Sequence, residues 1–146
     1  MARASLLIVE DNPAQQYVFK QLCERFGFDA IIVGTGEEAL GALGLAQYAA
    51  VILDINLPGI NGVDTVRALR NLERGTVRRT PVIAVTANVG PEHRAECIAA
   101  GMDDYLGKPF SIDSFRKTLL RWTYDARRPN LMLITSIPEE QEQLFG

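Results

Sequence analysis

The sequence predicts an α/β fold, a doubly wound parallel sheet of five strands with five helices. Runs rich in Val, Ile and Leu alternate with segments whose apolar residues recur at helical spacing. These runs are continuously apolar, which is typical of strands that are buried on both faces of a sheet. A charged or hydroxyl residue follows four of the runs, and such sheets carry their sites beyond the carboxyl ends of the strands. We therefore expect a functional site at that edge.

The apolar runs place the strands, and capping residues with apolar faces place the helices. The predicted strands are residues 6–9, 30–33, 50–53, 82–85 and 104–106. The predicted helices span about residues 13–26, 36–45, 63–74, 91–100 and 112–122.

Residues that favour helix ends flank these segments. Pro13 suits a first helical turn, and Ser111 can cap the last helix. Thr35 with Glu38 three residues later forms a capping-box pattern, and Gly101 is suited to end a helix. We expect these apolar residues of the first, third and last helices to face inward: Val18, Phe19, Leu22, Cys23 and Phe26; Val66, Leu69 and Leu72; Phe115, Leu119 and Trp122.

Length and composition indicate a single domain and argue against nucleic-acid binding and a membrane span. The 146 residues suit one domain, residues 5–122, with a tail or linker at 123–146 that is too short for an output domain. A net charge of −3 and no basic stripe argue against direct binding to nucleic acid. No membrane span or signal peptide is expected, and Cys23 and Cys97 suit reduced thiols, so we expect a cytoplasmic protein.

Three acidic residues are expected to converge at the carboxyl edge of the sheet. Glu10 and Asp11 follow the first strand, and Asp54 ends the third. Because clustered carboxylates repel each other, they predict a divalent cation, and Mg²⁺ fits because it prefers oxygen ligands. The alternative is a set of exposed acids at strand ends.

The remaining residues at this edge favour phosphoryl transfer to a carboxylate. Asp54 is the expected nucleophile, since an aspartate can attack phosphorus to give an acyl phosphate. Lys108 would supply a second positive charge, and Thr86 would hydrogen-bond a phosphate oxygen. Taken singly, Lys108 also suits a solvated lysine, Thr86 a strand-end cap and Tyr105 ordinary core packing.

These residues stand in four motifs that resemble the receiver domain of two-component response regulators. The motifs are Val-Glu-Asp-Asn at 9–12, Asp-Ile-Asn-Leu-Pro-Gly at 54–59, Pro-Val-Ile-Ala-Val-Thr-Ala at 81–87 and Ala-Gly-Met-Asp-Asp-Tyr-Leu-Gly-Lys-Pro-Phe at 100–110. The resemblance implies a CheY-like fold with strand order 2-1-3-4-5. The phrasing of the first and last motifs also resembles receivers attached to hybrid histidine kinases.

The resemblance implies roles for the acidic residues. Asp54 would accept the phosphoryl group. Glu10, Asp11, Asp54 and the backbone carbonyl of Asn56 would bind Mg²⁺.

It also implies a switch. Thr86 and Tyr105 would be its coupled residues, Lys108 would bind the phosphoryl group, and the Lys108-Pro109 peptide would be cis. Asn88, like Asn56, would tune the lifetime of the phosphate.

A receiver of this kind would be a signalling domain that catalyses only its own phosphorylation and dephosphorylation. Its phosphodonor would be a histidine kinase or a histidine phosphotransfer protein. Its output would be a downstream protein partner or homodimerisation, through the fourth helix, fifth strand and fifth helix.

Two other classes of protein fit these residues less well. A hydrolase of the haloacid dehalogenase type would need a second acid two residues after its nucleophile, where Asn56 stands. A constitutive interaction module would have no use for Asp54, Thr86 and Lys108 together.

The tail carries an apolar run, and the chain has a single histidine. The apolar run at 131–134 either packs on its own domain or a partner chain, or belongs to a linker of a longer protein, and residues 138–145 could form a short helix. His93 is expected to be a solvated surface residue.

Overall fold

The computed structural model describes residues 3–123 and has the predicted architecture. Its strands are Ser5–Val9 (β1), Asp29–Val33 (β2), Ala50–Asp54 (β3), Val82–Thr86 (β4) and Asp104–Gly107 (β5). Its helices are Pro13–Arg25 (α1), Gly36–Leu45 (α2), Gly62–Glu73 (α3), Pro91–Ala100 (α4) and Ile112–Thr123 (α5). All strand pairs are parallel, in the order β2-β1-β3-β4-β5, which confirms the predicted fold class and strand order.

Two apolar cores cover the two faces of the sheet. Alternate residues of β1 enter opposite cores, Leu6 and Ile8 in one and Leu7 and Val9 in the other. The first core is completed by side chains of α1 and α5, and the second by side chains of α2, α3 and α4. The central strands are continuously apolar because both of their faces are buried. The edge strand β2 is less covered, and its Ile31 is exposed.

Side-chain caps fix where four of the helices begin. Asn12, Thr35, Asn61 and Ser111 each accept a hydrogen bond from the backbone N–H three residues later, at 2.9–3.1 Å. Glu38 Oε1 in turn accepts from the Thr35 hydroxyl at 3.1 Å. These caps satisfy backbone donors that have no partner inside a helix, so the sequence positions the helix starts locally.

The prediction that Leu72 faces inward is wrong. Val66 and Leu69 are buried, but Leu72 is 60% exposed. The inner side of the last turn of α3 is instead occupied by Arg70 and Glu73, which both hydrogen-bond to the segment that leads into β4.

The predictions for the tail from residue 124 onward lie outside the described residues. These are the packing of residues 131–134 and the short helix at 138–145. Within residues 3–123, no helix is long and apolar enough to cross a membrane.

Candidate phosphorylation site

Parallel pairing brings the ends of four strands to one edge of the sheet. Val9 pairs with Leu53 between β1 and β3, and Thr86 pairs with Gly107 between β4 and β5. Since Asp54 directly follows Leu53, the residues that follow each strand lie side by side. The register therefore places the predicted site residues at one edge of the sheet.

The three acidic residues meet as predicted, and they are called the acidic cluster below. Glu10, Asp11 and Asp54 each offer a carboxylate oxygen, and these oxygens all lie within 4.8 Å of one another. Glu10 is 1% exposed and Asp54 is 9% exposed, whereas Asp11 is open to solvent. Two buried negative charges so close together need a positive charge nearby.

Among the described residues, one buried oxygen of the acidic cluster accepts no hydrogen bond. Asp54 Oδ1 accepts from the Asn56 backbone N–H at 3.0 Å, and Glu10 Oε2 accepts from the Asn12 N–H at 3.1 Å. Glu10 Oε1 is buried and accepts no hydrogen bond from the described residues. An unsatisfied buried carboxylate oxygen is costly, so it is suited to ligate a cation. This set of oxygen donors fits Mg²⁺.

Lys108 is the side chain that balances this charge. Its Nζ lies 3.5 Å from Glu10 Oε1 and 3.6 Å from Asp54 Oδ2, which makes two ion pairs. The Lys108-Pro109 peptide is cis, as expected. Burial raises the pKa of Glu10, and the nearby Asp54 charge raises it further, while the Asn12 N–H and Lys108 oppose the shift.

Thr86 lies at the end of β4 and is buried. Its Oγ1 accepts a hydrogen bond from the Asn88 backbone N–H at 3.1 Å and lies 3.4 Å from His93 Nε2. Within residues 3–123 no hydrogen bond joins Thr86 to the acidic cluster. In this conformation the Thr86 hydroxyl therefore contacts the β4–α4 connection and α4.

Tyr105 is half-buried beside the same connection. Its hydroxyl donates to the Asn88 carbonyl oxygen, and the Arg94 guanidinium carbon lies 5.6 Å from the centre of its ring. Burial raises the pKa of the Tyr105 hydroxyl. The backbone of Asn88 is thus hydrogen-bonded to both residues, its carbonyl to Tyr105 and its N–H to Thr86.

The prediction of a solvated His93 is wrong. The residue is half-buried, and its ring centre lies 6.3 Å from that of Tyr105. Its Nε2 also lies 3.7 Å from Cys97 Sγ. Sequence reasoning missed it because a lone histidine has no fixed partner, although its place four residues before the buried Cys97 puts both residues on one helix face.

Comparisons with known proteins converge on one family. Residues 6–120 match the family model of the response regulator receiver domain. The sensory/regulatory protein RpfC of Xanthomonas campestris pv. campestris is 36% identical over 114 residues, which is 78% of this chain and 16% of that protein. The sensor histidine kinase GacS of Pseudomonas protegens is 33% identical over 121 residues, 81% of this chain and 13% of that protein. The chain therefore spans less than a fifth of the length of these relatives.

Solved structures agree with these relatives. The receiver domain of the sensor histidine kinase PA1611 from Pseudomonas aeruginosa, with a magnesium ion coordinated in its active site cleft, superposes with a TM-score of 0.76 at 35% identity, covering 85% of this chain and 100% of that one. The chemotaxis protein CheY4 of Vibrio cholerae gives a TM-score of 0.76 at 29% identity, covering 83% of this chain and 99% of that one.

Proposed function

Because the chain belongs to the response regulator receiver domain family, we propose that Asp54 is its phosphoacceptor and that phosphorylation there switches a protein-binding surface. Receiver domains act in two-component and phosphorelay signalling, and phosphoryl transfer to an aspartate is the general function of the family. One observation carries the assignment to Asp54. Its carboxylate is buried between Glu10 and Lys108, with one oxygen held by the Asn56 N–H and the other paired with Lys108 Nζ.

Glu10, Asp11 and Asp54 would hold a Mg²⁺ ion, together with the backbone carbonyl of Asn56. The close approach of the three carboxylates supports this site, as does Glu10 Oε1, which accepts no hydrogen bond from the described residues. Bound Mg²⁺ would neutralise negative charge on the carboxylate and on the incoming phosphoryl group.

The transfer would proceed at an oxygen of Asp54. That oxygen attacks the phosphorus of a phosphohistidine, so that an O–P bond forms and the P–N bond breaks. The electron pair of the broken bond stays on the donor imidazole, which leaves neutral when its other nitrogen carries a proton. Lys108 Nζ would then pair with a phosphoryl oxygen in place of a carboxylate. Dephosphorylation would be the attack of water on the same phosphorus, giving inorganic phosphate and the free Asp54 carboxylate.

The switch would connect this event to the surface. Thr86 would turn its hydroxyl towards the phosphoryl group, and Tyr105 would turn inward, releasing Asn88. The phosphorylated state would be favoured by the extra contacts that it alone makes. The responding surface would be α4, β5 and α5, where a downstream protein or a second copy of the chain could bind.

The phosphodonor would be a histidine kinase or a histidine phosphotransfer protein in the cytoplasm. The match to GacS supports this choice, because GacS is a sensor histidine kinase and this chain matches 13% of its length. Asn56 and Asn88 would tune the lifetime of the phosphate, because both lie beside the groups that would contact it.

Intact mass spectrometry tests the assignment. The protein is incubated with Mg²⁺ and acetyl phosphate, and we expect a gain of one phosphoryl group. The gain should disappear in Asp54→Asn and without Mg²⁺. It should persist in Asp64→Asn, a matched change at an exposed aspartate in the first turn of α3 that pairs with Arg67. Labelling that survives in Asp54→Asn would refute the assignment, and no labelling of the wild type would favour a phosphate-independent binding module.

A further inference from the structure

His93 lies on the inner side of α4 and reaches the hydroxyl of the proposed switch residue. Its Nε2 is 3.4 Å from Thr86 Oγ1 and 3.7 Å from Cys97 Sγ. The single histidine of the chain therefore contacts a hydroxyl and a thiol through the same ring nitrogen. Neither the proposed transfer step nor the metal site uses it.

The hydroxyl of Thr86 can donate its proton to His93. A threonine hydroxyl carries one proton and two lone pairs, and one lone pair already accepts from the Asn88 N–H at 3.1 Å. On the His93 side the hydroxyl can donate to Nε2. Burial raises the pKa of the Cys97 thiol, so this second neighbour of Nε2 also carries a proton. Two donors facing one nitrogen favour the tautomer in which Nε2 is the acceptor and the ring proton is on Nδ1.

We propose that His93 is a positioning residue that controls the Thr86 hydroxyl: neutral His93 holds the hydroxyl proton, and His93 protonated at Nε2 releases it to the phosphoryl group on Asp54. This inference rests on the proposed function of Asp54 and Thr86. When Nε2 carries a proton it can only donate, so it turns to the remaining lone pair of Thr86 Oγ1. The hydroxyl proton is then free for a phosphoryl oxygen. The switch should therefore be easier to set with a charged imidazole than with a neutral one.

Titratable and charged groups of α4 and β5 surround His93. On α4, Glu92 and Glu96 line the same surface cavity of about 480 Å³ as His93, and the Arg94 guanidinium lies over the ring of Tyr105. Cys97 on α4 and Tyr105 on β5 keep their protons, since burial raises the pKa of both. An imidazole ordinarily changes charge between about pH 5 and 8.

The tautomer can be observed directly. Because the chain has one histidine, the imidazole ¹⁵N resonances need no assignment among several rings. At pH 8 we expect the chemical shift of an unprotonated Nε2 and a protonated Nδ1. A proton on Nε2 at pH 8 would overturn the proposal, because Thr86 could not then donate to it.

The functional test uses beryllium fluoride with Mg²⁺ as a phosphoryl analogue, and its half-saturating concentration is measured by NMR at pH 6 and pH 8. Loss of one net hydrogen bond corresponds to about fivefold in an equilibrium constant. At pH 8, His93→Phe should therefore bind the analogue about fivefold more tightly than wild type, since nothing competes for the Thr86 proton. His93→Gln keeps a side-chain acceptor and should restore wild-type binding at pH 8, without the added gain of wild type at pH 6.

The variant Glu96→Gln is the matched control on the same helix and should keep most of the pH response. Equal ratios of pH 6 to pH 8 affinity in wild type, His93→Phe and His93→Gln would overturn the proposal while leaving the phosphoacceptor intact. If the analogue fails to bind wild type at either pH, or binds Asp54→Asn equally, the proposed function fails and this inference fails with it.

Discussion

Replacement of Arg70 by Ala should destabilise the fold by about 3 kcal/mol while leaving the carboxyl edge able to take phosphate. The Arg70 guanidinium donates twice to the Gly101 carbonyl, at 3.0 and 2.8 Å, and once to the Thr80 carbonyl at 2.8 Å. It also pairs with Glu73 at 2.7 Å and with Asp103 at 2.8 Å. One side chain thereby joins α3 to the start of β4 and to the connection that leads into β5.

The magnitude follows from what each partner retains. Removing one member of a buried ion pair costs about 3–5 kcal/mol, because the other charge is left without compensation. The lower end applies here, since Asp103 keeps Arg79 at 2.8 Å and the Val82 N–H at 2.8 Å. Glu73 likewise keeps its hydrogen bonds from the Thr80 N–H and hydroxyl.

Urea unfolding followed by circular dichroism measures the effect, and α3 supplies the control. Arg67 lies three residues earlier, its side chain is 57% exposed, and its ion pair with Asp64 is 3.6 Å long. An exposed pair of this kind contributes about 0–1 kcal/mol, so Arg67→Ala should change the free energy of unfolding little. Equal losses in the two variants would refute the reasoning that burial and number of hydrogen bonds decide the contribution of an arginine.

Three further predictions concern the charge of the acidic cluster, the space around two glycines and the pKa of Glu73. Lys108→Ala should raise the affinity for Mg²⁺ by about five- to tenfold, because it removes a cation that competes for the acidic cluster. The control Lys117→Ala should leave this affinity unchanged, and calorimetry that shows weaker Mg²⁺ binding in Lys108→Ala would contradict the prediction. Gly62→Ala should destabilise the fold, because a Cβ there would lie 2.8 Å from the Cα of Ile55, the residue that follows β3. Gly41→Ala should instead stabilise α2 by about 0.5–1 kcal/mol, because a Cβ there meets nothing within 4 Å. Chemical unfolding that gives both changes the same sign would refute the steric argument. Burial alone would raise the pKa of Glu73, but hydrogen bonds from Thr80 and the ion pair with Arg70 outweigh burial and lower this pKa. The stability that Glu73 contributes is therefore present above its unfolded pKa and is lost as the pH falls through the folded value. The difference in free energy of unfolding between wild type and Glu73→Gln should shrink between about pH 6 and pH 3, and a constant difference would contradict this prediction.

Local signals explain why most of the fold could be predicted. Continuous apolar runs mark strands buried on both faces, and Thr35 and Ser111 mark helix starts by hydrogen bonds to residues three positions away. The resemblance to receiver domains is confirmed by the family match. Convergence of the acidic cluster followed from topology alone, because parallel strands present their carboxyl ends at one edge.

Contacts between distant parts of the chain explain what was missed. In the sequence, Arg70 resembles an ordinary exposed helical arginine. Only the packing of α3 beside α4 and the α4–β5 connection shows that it binds Gly101 and Asp103, 31 and 33 residues away. The same arrangement displaced Leu72 to the surface. His93 depended on a contact across elements with Thr86, which no spacing within α4 reveals.

Buried charges are well paired at the amino end of the sheet and less well paired at its carboxyl edge, and this difference bears on function. At the amino end, Arg70 and its carboxylate partners are fully hydrogen-bonded, so little is gained by any rearrangement there. At the carboxyl edge, Glu10 Oε1 accepts no hydrogen bond from residues 3–123. Lys108 Nζ lies 3.5 and 3.6 Å from two carboxylates, distances that leave room for a better arrangement. A ligand can shift an equilibrium only by the interactions that it improves. A cation or a phosphoryl group therefore has most to gain at the edge where the protein leaves its own charges incompletely satisfied, and the well-paired amino end can hold the sheet unchanged while that edge rearranges.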